Sequence, residues 1–545
     1  MTNTPRDPTG RPISPTDLAD VNDPTPPLSP KAEPTPHQQA AMDGAPPPQP
    51  PKPPRRPGSL GGYLAWLVIL ALVGFLFASN NGVLDRFMPA QQTPIAESDA
   101  SYPAPDPLLE MQGRYLIGSS EIVSSLMPSE DSSTQLADTL ESFANDDPVT
   151  VLRIAIIAGE LVGPGEPNDT LGFLNDDPDT PPQSSASAYL NYASFLIDSA
   201  DEASPHDDTT RQDIATLRAI YANPGFDSLS ESEHDSFIER HGWLAELALT
   251  FGDDDASSPR VELLTKTRQT AGVVIGAGIT VIGAFIVGFI LFILALVFLA
   301  TGSLKMAYRQ PTTTAGTYAE TFALFLIGFL AVGILASALE AATSQGWWSF
   351  ALIWLLPLVA FWPRLRGVPK DQWKLDVGWN KGKGIIREVF AGILGYLAGL
   401  PIVAIGIGCT FALMIFSEII NRALGLPDGP PTHPIAEQFD PSNVVILIAT
   451  YITACVWAPF VEETIFRGAL YHNTRRALHP IFAALFTGFL FAAIHPQGWI
   501  AIPALMSLGT VFALLREWRG SIIAPAIAHA INNGFVFTVL IFALS

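Results

Sequence analysis

In the last hundred residues of this 545-residue chain, ionisable side chains sit inside sequence that otherwise reads as hydrocarbon-embedded. They occur in Ala458-Pro-Phe-Val-Glu462-Glu463-Thr-Ile-Phe466-Arg467-Gly468, in Phe491-Ala-Ala-Ile-His495 and in His529-Ala-Ile-Asn532-Asn533. An ionisable group in a bilayer costs several kcal/mol, so it is rarely there without a partner or a task. A carboxylate, an imidazole and a carboxamide together can take a proton from water, orient that water and donate to an oxyanion, which is hydrolytic chemistry.

The spacing divides the labour. Residues four apart share a helix face, and Glu463 precedes Arg467 in the favourable order for an ion pair. Glu462 lies about 100° round the helix from Glu463 and stays free to point into a cavity. Phe491 and His495 are four apart, as are His529 and Asn533, so each pair presents one face inward.

These residues need membrane helices to position them, and the composition supplies such helices. The chain is 48% hydrophobic and only 15% charged, with positive mean hydropathy, as for a polytopic membrane protein with soluble appendages. Its apolar stretches predict eight spans, at 270–301, 319–343, 347–362, 386–420, 444–474, 480–496, 499–516 and 520–544, forming a membrane core over 269–545. A ninth apolar run, Tyr63 to Ala78, follows Lys52, Arg55 and Arg56 and lacks a clear cleavage site, so residues 59–80 read as an uncleaved anchor. Basic residues fall on alternate connections: Lys305 and Arg309, the run from Arg364 to Arg387, Arg475 and Arg476, Arg516 and Arg519. This predicts an N-inside, C-outside topology in the plasma (inner) membrane. At 1.5 Å per residue, Glu462 lies about 20 Å along its helix from the arginines near 475, and His495 about 22 Å from Pro480. His529 and Asn533 lie about 14 and 20 Å from Gly520. Helices of different sequence thus deliver the polar residues to one layer.

The remaining segments have other characters. Residues 1–58 are Pro-rich, for example Ala45-Pro-Pro-Pro-Gln-Pro-Pro-Lys-Pro-Pro, and are expected to be a disordered tail. Residues 81–268 hold 34 acidic and nine basic side chains, −25 net against −22 for the chain, so the rest carries +3. Such acidity excludes nucleic acid as a partner. Amphipathic stretches at 149–162, 188–197, 210–221 and 232–249 predict a helical extramembrane domain, exoplasmic by the topology above, acting as a partner-binding module or a spacer. Cys409 and Cys455 both lie in apolar runs and read as packing residues. His472 and His479 flank the Arg475-Arg476 connection and read as interfacial. The fold class expected is therefore an all-α polytopic membrane bundle with a helical acidic domain.

Glu462-Glu463-x-x-x-Arg467, Phe491-x-x-x-His495 and His529-x-x-x-Asn533, in order on late helices, resemble the three motifs of the CPBP family. That family comprises type II CAAX prenyl endopeptidases and bacteriocin-processing or self-immunity (Abi-like) proteins. Pro459, Phe466-Arg467-Gly468 and Gly520-Ser-Ile-Ile-Ala-Pro525 fit as flanks. The resemblance covers about 270–545. It implies an intramembrane endopeptidase acting on peptide or lipidated-protein substrates, with Glu462 as general base, His495 holding the water, His529 and Asn533 donating to the oxyanion, and Glu463 and Arg467 in support. An alternative is a zinc site of Glu462, His495 and His529, although no His-Glu-x-x-His is present. The metal-free reading is the one expected. A rival of another class is a non-proteolytic scaffold or immunity protein, which has no need of a complete motif set.

Overall fold

In the computed structural model the described residues are 60–81, 102–126, 136, 139–171, 184–200, 204–225, 229–253, 255, 258–309, 316–343, 347–424 and 444–544. The tail expected at 1–58 lies outside them. Every regular element among the described residues is helical, and the chain is an all-α polytopic bundle.

Helix α1, Leu60–Asn80, covers the stretch expected as an anchor. Six further helices follow outside the apolar core: α2 Pro107–Leu126, α3 Pro148–Leu161, α4 Ala186–Ser199, α5 Asp207–Ala222, α6 Glu231–His241 and α7 Trp243–Leu249. Local sequence starts them. Asp147 accepts from Val149 and Thr150 N–H groups ahead of α3, and Ser185 caps α4. Ser230 and Glu233 form a reciprocal capping box on α6. The stretch expected as one helix over 232–249 is two, because Gly242 adopts φ +57° between them. Helix α2 lay outside the periodic stretches found in the sequence. Helix α3 is buried almost throughout, and Leu116, Tyr189, Leu217, Trp243 and Leu263 share its core.

That core contains charge. Asp213 accepts from Arg240 at 2.6 and 2.8 Å and lies 3.0 Å from His241 Nε2, while Arg153 Nε donates to His241 Nδ1 at 3.4 Å. Arg240 also sits over the Tyr102 ring. Burial pushes the Asp213 carboxyl up, but hydrogen bonds from His241 and Arg240 outweigh it and hold the group below its ordinary range. Burial also lowers His241, more than Asp213 raises it. With both groups depressed in the fold, the unfolded chain binds more protons. Their stabilisation is complete above the ordinary imidazole range near pH ~6.5 and is lost as pH falls through it and then through the carboxyl range. Amide exchange over Glu231–Leu249 should therefore quicken relative to the rest of the chain between about pH 7 and about pH 5. Asp213→Ala should cost about 3 kcal/mol, by leaving the Arg240 guanidinium uncompensated and His241 Nε2 without its acceptor. Equal relative protection at both pH values would refute this account.

Helix α8, Pro259–Ala300, starts in the acidic region and runs unbroken through the change of composition near residue 268. It is followed by α9 Thr317–Thr343, α10 Trp348–Leu365, α11 Lys370–Val377, α12 Ile385–Leu424, α13 Val444–Thr474, α14 Pro480–Ala493, α15 Ile502–Arg519 and α16 Ile523–Leu544. Pro357 lies in a tighter 3₁₀ stretch, Ile353–Phe361, inside α10. Among the described residues eight helices are long and apolar enough to cross a membrane, not the nine expected. The exception is α14. Its 14 residues rise only about 21 Å, short of a hydrocarbon core of about 30 Å. The chain turns instead at Gly498, φ +75°.

One apolar core joins α1 (Ile69, Val73), α9 (Phe322, Leu326), α10 (Leu356), α13 (Ile465, Phe466) and α14 (Leu490, Phe491). Helix α15 packs against α12 and α14. Its contact with α14 is backbone-close: a Cβ at Gly488 would lie 2.6 Å from Met506 O, and one at Gly509 2.9 Å from Gly488 Cα. At the other end of the helices, ion pairs hold α15. Arg475 pairs with Glu517 at 3.0 Å and Arg519 with Glu388 at 2.7 Å. Arg516 is buried on the carbonyls of Leu375, Asp376 and Arg467. Three of the arginines counted above as loop charges thus serve the packing. His472, read as interfacial, is buried, with Nδ1 2.9 Å from Tyr308 Oη.

Candidate active site

Helix α13 carries the paired glutamates and is not a plain α-helix. Pro459 has no N–H to give and its ring clashes with the carbonyl four residues back, so the α ladder cannot pass through it. Just before it the chain is π-helical over Thr453–Trp457, with Ala458 N–H bonded to Thr453 O. A second π stretch covers Glu463–Leu470, closed by Tyr471 N–H on Phe466 O. Such turns are rare and frequent at functional sites. The spacing in the sequence gave only α periodicity. Pro459 inside an apolar run was the one available signal of a break.

Glu463 and Arg467 are fully buried and paired, Arg467 Nη1 donating to Glu463 Oε1 at 3.0 Å. The same carboxylate oxygen lies 3.1 Å from His529 Nδ1. Arg467 Nη2 donates to Gly509 O at 2.9 Å, and its guanidinium lies 4.8 Å from the Phe491 ring centroid and 5.2 Å from that of Phe512. The carbonyl of Gly509 and the ring of Phe512 belong to α15, which no motif in the sequence marked. The arginine is therefore held from three helices.

Glu463 Oε2 is buried without a hydrogen-bond partner, and Glu462 takes no part in the ion pair. Glu462 Oε2 is likewise buried and has no hydrogen-bond partner. Its charge acts on His495, as do those of His529 and Arg467. His495 stands just past the end of α14, with Nδ1 2.5 Å from Phe491 O and its ring 4.3 Å from that of Phe491. A carbonyl only accepts, so Nδ1 carries the proton and the neutral ring offers its Nε2 lone pair elsewhere. His529, on α16, stacks on Phe512 at 5.0 Å and 23°. Its Nδ1–H is given to Glu463, so its Nε2 carries a proton only when the ring is doubly protonated.

Asn533, one turn beyond His529, does not meet the pair. Its Nδ2 donates to Ala454 O at 2.8 Å, in the first π stretch, and its Oδ1 accepts from Asn532 Nδ2 at 3.1 Å. Asn532 Oδ1 in turn accepts from Tyr396 of α12. One Asn533 N–H remains for another acceptor. The structure thus joins Glu463, Arg467 and His529 by direct bonds and relates Glu462 to His495 by charge. Asn533 lies against the first π stretch of α13. Among the described residues no three His, Cys, Asp or Glu side chains are grouped to hold a metal ion, and Glu462, His495 and His529 do not form such a set.

An uncharacterised 24.3 kDa protein of Escherichia coli is 26% identical over 156 residues, which cover 26% of this chain and 70% of that protein. No solved structure matches the chain. Residues 444–535 match the family model described as type II CAAX prenyl endopeptidase Rce1-like. That segment contains Glu462, Glu463, Arg467, His495, His529 and Asn533, and over it the chain carries an Rce1-like domain.

Proposed function

We propose that this protein hydrolyses peptide bonds of membrane-associated, lipidated or transmembrane substrates with a water activated by Glu462 and without a metal ion. The observation that carries the reading is the division of the two glutamates: Glu463 Oε1 is bonded to Arg467 and His529, whereas the buried Oε2 of Glu462 has no hydrogen-bond partner and the charge of Glu462 acts on His495. A water between Glu462 and the Nε2 lone pair of His495 gives one hydrogen to each acceptor and turns its own lone pair toward a substrate carbonyl. Glu462 takes the proton as the water attacks, then returns it to the leaving amine. The oxyanion formed is met by the free N–H of Asn533 and, when the His529 ring carries both protons, by its Nε2–H; each donor contributes roughly 3 kcal/mol. The apolar walls around the site keep these interactions strong by excluding bulk water. The test is cleavage of a labelled lipidated peptide by the purified protein, with and without chelator, against Glu462→Gln.

The N-terminal tail is proposed to be cytoplasmic and the acidic helices exoplasmic. Arg475, Arg516 and Arg519 are taken up in packing, but Lys305, Arg309 and the Arg364–Arg387 run still favour this orientation. A reporter inserted near residue 200 should then report the exoplasmic side and one near residue 375 the cytoplasmic side. The opposite pair of results would overturn the orientation.

A further inference from the structure

The end of the anchor helix lies against the turn that carries His495. Asn80 Nδ2 donates to Ile494 O at 3.2 Å and to His495 O at 3.1 Å. Asn81 Oδ1 accepts from Trp499 N–H at 2.6 Å, and its Nδ2 is fixed on Phe77 O at 2.6 Å. The contacts to Ile494, His495 and Trp499 join residues more than 400 apart in sequence. The helices also meet one level lower, where Trp66 and Phe486 have ring centroids 5.9 Å apart.

The chemistry explains why amides stand there. A helix leaves its last carbonyls without intrahelical partners, and α14 ends early, at Ala493, in apolar surroundings. The next residues supply the imidazole of the site, so their backbone must be fixed without a continuing helix to fix it. The two hydrogens of one carboxamide nitrogen can serve two carbonyls at once, and Asn80 is placed to do so. Asn81 then holds the far side of the turn, beyond Gly498, by offering an acceptor to Trp499. Both residues lie outside the 444–535 segment of the family match.

We propose that Asn80 and Asn81 are positioning residues for His495, so that the anchor helix is a working part of the hydrolytic site as well as a tether. This rests on the reading of Glu462 and His495 given above. The two asparagines hold the turn through opposite halves of their amides: Asn80 acts as a donor and Asn81 as an acceptor toward it. Packing alone makes no such distinction.

The experiment uses the full chain in detergent or liposomes, the labelled lipidated peptide, and Glu462→Gln as a reference. Asn80→Leu should lower kcat on the order of 10-fold to 10²-fold with KM unchanged, the loss expected from misplacing a reacting group by a fraction of an ångström to an ångström. Asn80→Asp keeps the shape but sets a carboxylate against two carbonyls. Its kcat should fall comparably at neutral pH, and the ratio to wild type should rise as pH drops toward the ordinary carboxyl range near ~4, where the protonated acid regains one donor. At position 81 the order reverses: Asn81→Asp keeps the acceptor for Trp499 N–H, although it gives up the bond to Phe77 O within its own helix, and should retain more activity than either Asn81→Leu or Asn80→Asp. If Asn80→Leu does not fold, the isosteric Asp variants decide. Wild-type kcat in Asn80→Asp at neutral pH would overturn the proposal, as would equal losses in Asn80→Asp and Asn81→Asp with no pH reversal. Activity in Glu462→Gln would instead overturn the site reading beneath it, whereas an inactive Glu462→Gln beside unaffected Asn80 variants removes this inference alone.

Discussion

Glu462→Gln is expected to abolish cleavage while the protein still folds. Glutamine keeps the shape of the side chain but cannot take a proton from water, and a positioned general base contributes roughly 10²-fold to 10⁴-fold. Folding should be kept or improve slightly, because Glu462 holds a buried oxygen with no partner and the substitution removes its charge. His495→Ala should be similarly inactive, since the water loses its second acceptor. Asn533→Ala should fall by about 10²-fold to 10³-fold, the cost of one oxyanion donor, with His529 remaining. A zinc enzyme would behave differently: near-stoichiometric zinc in the wild type, depleted in the Glu462 and His495 variants, and activity lost to chelator and restored by zinc. Full cleavage by Glu462→Gln would exclude both chemistries and leave a non-proteolytic scaffold.

Much of this site was legible in the sequence because the membrane makes charge conspicuous. A pair such as Glu463 and Arg467 on a soluble helix is unremarked, but inside an apolar run it has to be explained, and their 3.0 Å contact is the one the spacing implied. The helical class followed from the same physics, since a backbone in hydrocarbon must satisfy its own hydrogen bonds. What stayed hidden depended on tertiary contact or on departures from regular helix. The π stretches of α13 alter which carbonyls are available, among them Ala454 O for Asn533, and hydrophobic periodicity does not report them. The apolar run at 480–496 looked like a span because composition cannot show that the helix stops at Ala493. Gly509 and Phe512 looked like ordinary span residues, yet they hold Arg467 and His529. Arg475, Arg516 and Arg519 looked like loop charges because their partners, Glu517, Glu388 and backbone carbonyls, are brought up only by the fold.

Glu463→Gln is expected to destabilise the protein more than Glu462→Gln does, although the two residues are neighbours with the same side chain. Glu463 is the counter-charge of an arginine with no exposure to solvent. Without it, Arg467 keeps its bond to Gly509 O and its aromatic contacts but has no anion, and breaking a buried pair from one side costs about 3–5 kcal/mol. The loss is measurable as a lower Tm in detergent. A second substitution separates this cause from general disturbance of α13. In Glu463→Gln combined with Arg467→Gln both charges are gone, so Tm should recover part of the way toward wild type, since a buried pair removed whole costs far less than one removed by half. Activity should not recover with it, because His529 would still lack the Glu463 carboxylate that holds its ring through Nδ1. If Glu463→Gln melts with the wild type, the carboxylate is not committed to Arg467, and the division of the two glutamates into a free base and a structural anion fails.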